Sequence, residues 1–336
     1  MERVIECAFC DGKAYLKAEQ KERVFRKETF ITFEHYYKCE SCQEEFTTTE
    51  TDNSNVSQIL NQYREKHNIL FPEQISALRE KYNLPAAKMG RILGFGANVY
   101  GNYEKGEIPS VSHARYLSLI TEPEEFRKLV VAARDQLHEG DYKRITGHID
   151  KLISKKDAPW DECDYLWKKN IIPNQYTGYA LPSFVKFANM AAILLDAAPF
   201  KVKLNKLLFY SDFLNFKLNG RSISGSQYQA IQLGPVPFRY DWNFDLLLQN
   251  NYIRAVPVEI KNEIVDKFVC VKTPDTDLFS SEELQTIKIV KEKLGGLSTK
   301  EVVNMSHNES GWIEENELQN KISYQKYGYS LKMGNL

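Results

Sequence analysis

The sequence predicts a multidomain, mainly α protein: a small β-rich zinc-ribbon-like module, an all-α helix-turn-helix, then an α+β, mostly helical C-terminal domain. Three observations predict it. Cys7/Cys10 and Cys39/Cys42 form two C-x2-C pairs with β-forming residues between them. From Phe71 to Leu119, helical apolar spacing is interrupted by Gly94 and Gly96. From about Tyr179 onward, apolar helical runs alternate with short strand patterns bounded by Gly and Pro. A chain of 336 residues, 43% hydrophobic, has room and apolar material for two or three domains. The boundaries read as 1–55 for the zinc-binding module, 56–121 for the helix-turn-helix, 122–178 for a helical connector and 179–336 for the C-terminal domain.

The cysteine pairs are separated by 28 residues. Each C-x2-C puts two thiolates on one tight turn, and two such turns close a tetrahedron of sulfur. Without an extracellular context this pattern reads as one structural Zn2+ per chain, held by Cys7, Cys10, Cys39 and Cys42, and not as disulfides. Four sulfurs leave no open position for a substrate water. Val24–Phe25 and Phe30 to Tyr37 supply strands. His35 is read as a strand-face residue, with metal ligation as the alternative. Cys163 and Cys270 stand alone and read as buried thiols.

Residues 47–55 are rich in Thr, Glu, Asp and Asn and read as a linker, followed by a helix over 56–67. Pro72 opens the next helix, carrying Ile75, Leu78 and Tyr82, with Asn83 at its end. Ala86 to Leu93 forms a short helix, Gly94 and Gly96 turn the chain, and a third helix runs from about Asn98 to Glu104. Gly106 and Pro109 end it, and Val111, Ala114, Leu117 and Ile120 make a packing helix. The second helix of such a pair enters the DNA major groove. Asn98 and Asn102 lie four apart on one face, and asparagine pairs bidentately with adenine. Tyr103 and Lys105 are placed to reach phosphates. Tyr100 reads as either core or interface.

Glu122–Pro123 breaks the chain. Two amphipathic helices follow, over about 124–138 and 141–154, and a short one over Trp160 to Ile172. Further helices are expected over 184–196, 204–216 (ended by Gly220), 240–250 and 280–294, the last with a Ser280/Glu283 capping box. Another opens at Ser298. A short strand is expected around Tyr228–Gln232 and a hairpin over 256–271, turning at Lys261–Glu263. After Trp312 the chain reads as a polar tail.

Asn98-Val-Tyr-Gly-Asn-Tyr-Glu-Lys-Gly-Glu-Ile-Pro109 resembles the recognition helix and following loop of Xre-type repressors, and is most similar to the MqsA branch of antitoxins. That resemblance implies base contacts at Asn98 and Asn102, the second position departing from the arginine usual there. The cysteine module resembles the zinc-binding part of the same antitoxins, which is structural and contacts the cognate toxin. Lys206-Leu-Leu-Phe-Tyr-Ser-Asp212, Gly220-Arg-Ser-Ile223, Gln232-Leu-Gly-Pro-Val-Pro237 and Ser306-His-x4-Trp312 together resemble the Panacea (SocA-like) antitoxin domain. The resemblance spans roughly 182–324 and implies toxin neutralisation by direct binding; some relatives serve as protease adaptors.

The expected function is therefore a type II antitoxin that binds its toxin and represses its own operon as a homodimer on operator DNA. A phage or mobile-element regulator without a toxin is the alternative. Tyr228, Phe238, Tyr240 and Trp242 are aromatic residues of the kind that anchor interfaces, readable equally as core. Both the N-terminal module and the C-terminal domain resemble toxin-binding parts. No phosphate loop, H-E-x-x-H or G-x-S-x-G is present. Lys206, Tyr210, Asp212, Arg221, Arg239 and His307 are the only catalytic candidates, so no enzyme is expected. The net charge of −1 excludes a polycation. Between 61 and 121, eight Lys/Arg face five Asp/Glu, a mild basic bias suited to a modest DNA footprint. Residues 1–20 are charged throughout, and the most apolar stretch (187–200) is short and holds Asp196. The expected location is cytoplasmic, with no membrane span.

Overall fold

The computed structural model describes residues 4–96, 98–154, 167, 172–260 and 262–335. They form two compact units: Leu60–Glu162, and Met1–Ile59 together with Cys163–Leu336. The helix expected over 160–172 and Cys163 lie outside the described residues, save Trp167 and Ile172.

The larger unit begins with a four-stranded antiparallel sheet in chain order, β1 (Val4–Glu6), β2 (Lys13–Phe25), β3 (Glu28–Cys39) and β4 (Glu45–Phe46). β2 and β3 pair from Ala14↔Cys39 to Phe25↔Glu28. Arg26 and Lys27 turn the hairpin with φ of 48° and 68°, the left-handed geometry that matches the twist of the flanking strands. The module's own core is small: Cys7, Ala14, Tyr37 and Cys39, with Ile5, Leu16 and Phe46 against them.

Helix α1 covers Thr49–His67, so residues 49–55 are helical and not a linker. Thr48 caps the start, its backbone N–H donating to Thr51 Oγ1 at 2.8 Å. The polar residues that suggested a linker find partners on β3. Asn55 and Gln58 each exchange two hydrogen bonds with its backbone. Local propensity is overridden by these long-range bonds.

In the second unit α2 (Pro72–Lys81), α3 (Ala86–Ile92), α4 (Val99–Glu104) and α5 (Val111–Leu119) follow the expected pattern. α6 (Pro123–Ala132) and α7 (Glu139–Ser154) pack into the same core, which joins Ile75, Met89, Tyr100 and Leu117 with Phe126, Val130, Ile145 and Ile149.

The remainder of the larger unit surrounds α9 (Lys201–Asn219), in which every residue from Lys203 to Phe216 is buried. Such a helix, closed on all sides, is a core element. α8 (Phe184–Leu194), α11 (Ser281–Leu294) and α12 (Thr299–His307) pack on it. Gly220 ends it at φ 71°, a left-handed cap suited to glycine. A second sheet runs β6 (Gly234–Pro237), β5 (Tyr228–Ile231), β9 (Lys321–Ile322). α10 (Tyr240–Gln249) leads to a hairpin of β7 (Ile253–Ile260) and β8 (Glu263–Cys270). The stretch after α13 (Ser310–Glu315) is not a polar tail. β9 pairs with β5, and Tyr324, Tyr327, Tyr329, Leu331 and Met333 are buried. Cys270 is exposed, its Sγ donating to the Lys272 carbonyl at 2.8 Å; it is the last residue of β8, where the chain leaves a sheet of two strands. Among the described residues no helix is long and apolar enough to cross a membrane.

Candidate functional site

Two turns of matching geometry carry the cysteines. In each, the first cysteine's N–H bonds the carbonyl five residues on (Cys7 to Gly12, 2.7 Å; Cys39 to Glu44, 3.0 Å). Its sulfur accepts the N–H two residues on, from Phe9 at 3.4 Å and Ser41 at 3.3 Å. The fifth residue of each turn has positive φ, Asp11 at 57° and Gln43 at 63°. Two backbone knuckles thus face each other. Cys7 and Cys42 sulfurs are 3.7 Å apart, Cys10 and Cys39 sulfurs 3.5 Å, and all four lie within 4.8 Å of one another. A tetrahedron with metal–sulfur bonds of about 2.3 Å has edges of about 3.8 Å, so the four cysteines fit one ion. The Cys42 N–H, foremost among its donors, draws the Cys39 thiol down to about 6, against the effect of burial, while the Cys42 thiol, although it accepts the Glu44 N–H, is pushed up by burial and by the other three sulfurs. His35 is buried on the β3 face, its ring 5.3 Å from that of Tyr329, away from the sulfur cluster.

The helix pair of the second unit is held by close approach. A Cβ on Gly90 of α3 would lie 2.3 Å from the Gly96 carbonyl oxygen, and Gly94 and Gly96 turn at φ 69° and 92°. Tyr100 is wholly buried, its hydroxyl donating to the Ile75 carbonyl at 2.7 Å. The Arg79–Glu104 ion pair at 2.6 Å ties α2 to α4. Asn98 is the N-cap of α4, and its side chain makes no capping bond. Asn98, Asn102 and Lys105 are exposed, whereas Tyr103 is 4% exposed with its hydroxyl 2.6 Å from His113 Nδ1. The expected four therefore divide into three surface residues and one core residue. His113 also stacks on Phe95, ring centroids 3.9 Å apart. No helical period or motif pointed to His113, because its role depends on the α4–α5 fold-back.

In the C-terminal region the motif residues converge as structure. Asp212 is fully buried. Its carboxylate accepts the N–H groups of Ile223 and Ser224 (both 2.8 Å), the Ser224 hydroxyl (2.6 Å) and the Tyr228 hydroxyl (2.8 Å). Burial pushes this carboxyl up, and those four bonds oppose it. Asp212 thus shapes the loop that leads into β5. Lys206 is fully buried, Nζ donating to the Pro235 carbonyl at 2.8 Å, and burial lowers its pKa to about 7. His307 stacks on Trp312 with centroids 3.9 Å apart, and burial, then the nearby Lys206, lowers its pKa. Of the four aromatic residues singled out for an interface, Tyr228 is wholly buried, while Phe238, Tyr240 and Trp242 are half-buried. Lys321 lies 4.4 Å above the Phe238 ring and Arg239 5.5 Å from it.

These features define a class: a four-sulfur knuckle ahead of a helix-turn-helix, joined in one chain to a mostly helical lobe. The comparisons particularise it. Residues 5–129 match the family described as the antitoxin component of bacterial toxin–antitoxin system, MqsA, and residues 204–313 match the antitoxin SocA-like, Panacea domain. Two segments of one chain are thus similar to two antitoxin families, the pair that the motifs imply. No curated protein matches it.

Proposed function

We propose that this protein is a type II antitoxin that neutralises a protein toxin by direct binding and represses its own operon. The observation that carries this reading is the presence, in one chain, of segments matching two separate antitoxin families. In this reading the cysteines hold one structural Zn2+, and the protein works as a cytoplasmic homodimer without enzymatic activity. Asn98 and Asn102 read base edges, since both are exposed on and before a short helix set one turn from α3. Lys105 meets phosphate. Tyr103 acts from the core, holding α4 against His113. The toxin docks on Phe238, Tyr240 and Trp242, where Arg239 and Lys321 suit an acidic segment. Tyr228 supports that face from beneath through Asp212.

Two variants of the full chain test the reading, alongside the product of the adjacent small open reading frame and the DNA upstream of the operon. Asn98→Ala/Asn102→Ala should weaken operator binding by at least about tenfold, at about 1–3 kcal/mol per lost bidentate pair, and leave neutralisation intact. Tyr240→Ala/Trp242→Ala should do the reverse. Unchanged operator affinity in the first variant would refute the recognition helix. A neighbouring gene that is harmless when expressed alone would refute the antitoxin reading.

A further inference from the structure

The face of β3 that carries a metal ligand also carries the contacts to the C-terminal domain. Side chains two apart on a strand share a face. Cys39, Tyr37, His35 and Phe33 therefore line up on one side. Cys39 is a ligand in the sulfur cluster and Tyr37 lies in the module's core. His35 and Phe33 both pack on Tyr329, with ring centroids 5.3 Å apart in each case. Tyr329 is buried and its ring also packs on Phe216 of the central helix α9, with centroids 5.1 Å apart. A Cβ on the preceding Gly328 would lie 2.5 Å from the Phe216 ring, so the segment is pressed against α9.

The outer edge of β3 is fixed in the same register. Tyr37 pairs with Phe46 of β4. Beyond the end of β4, the Asn55 side chain takes the His35 N–H (2.8 Å) and gives to its carbonyl (3.0 Å). Gln58 does the same for Phe33 (2.8 and 2.7 Å). Two amides one helical turn apart on α1 thus continue the ladder that β4 begins. A Cβ added to Gly220, at the end of α9, would lie 3.9 Å from Ser57 Cβ of α1. Leu16, His35, Thr51, Ser54 and Lys217 are among the residues that line a partly open gap of about 20 Å³ between these parts. A slip of one residue in β3 would turn Phe33 and His35 away from Tyr329. The module's few buried residues resist such a slip weakly, and four metal–sulfur bonds at the end of the strand resist it strongly.

We propose that metal binding at the four cysteines is thermodynamically linked to the fold of the C-terminal domain, with β3 as the shared element and Tyr329 as the receiving side chain. The ligand is a divalent ion that prefers tetrahedral thiolate. Occupancy of the site holds residues 323–331 against α9, and docking on Tyr329 tightens metal binding by the same factor.

The test uses the full chain under reducing conditions. Zinc-loaded protein is compared with protein stripped by a strong chelator, following amide hydrogen exchange. Stripping should speed exchange at 323–331 and 212–220 by about tenfold or more, and added Zn2+ should restore protection. The reciprocal arm measures Zn2+ affinity by competition with a chromophoric chelator. Phe33→Ala, a half-buried site away from the sulfurs, should weaken it by about fivefold or more. Faster exchange confined to residues 4–46 on stripping would overturn the proposal. So would unchanged metal affinity in Phe33→Ala.

Discussion

Lys206 sits with its Nζ 2.8 Å from the Pro235 carbonyl and no exposure to solvent. Burial holds its pKa near 7, against about 10.4 in an unfolded chain. Below about pH 7 both states hold the proton, and the native state carries the full cost of a buried charge. Between about pH 7 and 10 the unfolded chain binds a proton the native state has released, so stability rises with pH, by at most about 1.4 kcal/mol per unit. The stability of wild type minus that of Lys206→Met, from denaturant melts between about pH 6.5 and 9.5, should therefore increase with pH. A flat difference would show that the buried amine keeps its proton. Residue type alone served well where chemistry restricts the choice. Four cysteines at C-x2-C spacing have few other uses, and they converge. It served less well for tyrosine, which suits core and surface alike. Tyr103 and Tyr228 both turn their hydroxyls inward, to His113 and Asp212.

Elements were legible wherever their ends carry local chemistry. Ser280/Glu283 and Ser298/Glu301 form reciprocal capping boxes at the starts of α11 and α12, and Gly220 closes α9. The first turns of α1 were not legible, because Asn55 and Gln58 are held by a strand more than fifteen residues earlier. The helix-turn-helix gives a paired test of why its glycines are there. Gly90→Ala would drive a methyl against the Gly96 backbone at 2.3 Å, a clash that costs about 1–3 kcal/mol. Gly94→Ala meets nothing within 4 Å and costs about 1 kcal/mol, from its positive φ alone. Chemical denaturation should rank them in that order, and equal losses would mean the α3–turn contact is looser than described.

At the scale of the molecule the two compact units predict two unfolding events. Calorimetry of the full chain should resolve them. Operator DNA should raise only the transition of residues 60–162, as expected of a ligand that binds one folded unit. A chelator should lower only the other. A single transition moved by both reagents would mean the units unfold together. The grouping of residues 1–59 with the C-terminal region was beyond the reach of sequence patterns. Phe33 and Tyr329 meet across almost the whole chain, and no period or motif encodes a contact of that span.

The amides of Asn55 and Gln58 have one more effect. A strand edge with open N–H and carbonyl groups is a template on which another chain can add. β4 is two residues long, pairing with Tyr37 and Lys38, and the Glu44 carbonyl just before it takes the Cys39 N–H. The two amides occupy the next groups along it, at His35 and Phe33. They leave less of this edge open for another chain to pair with.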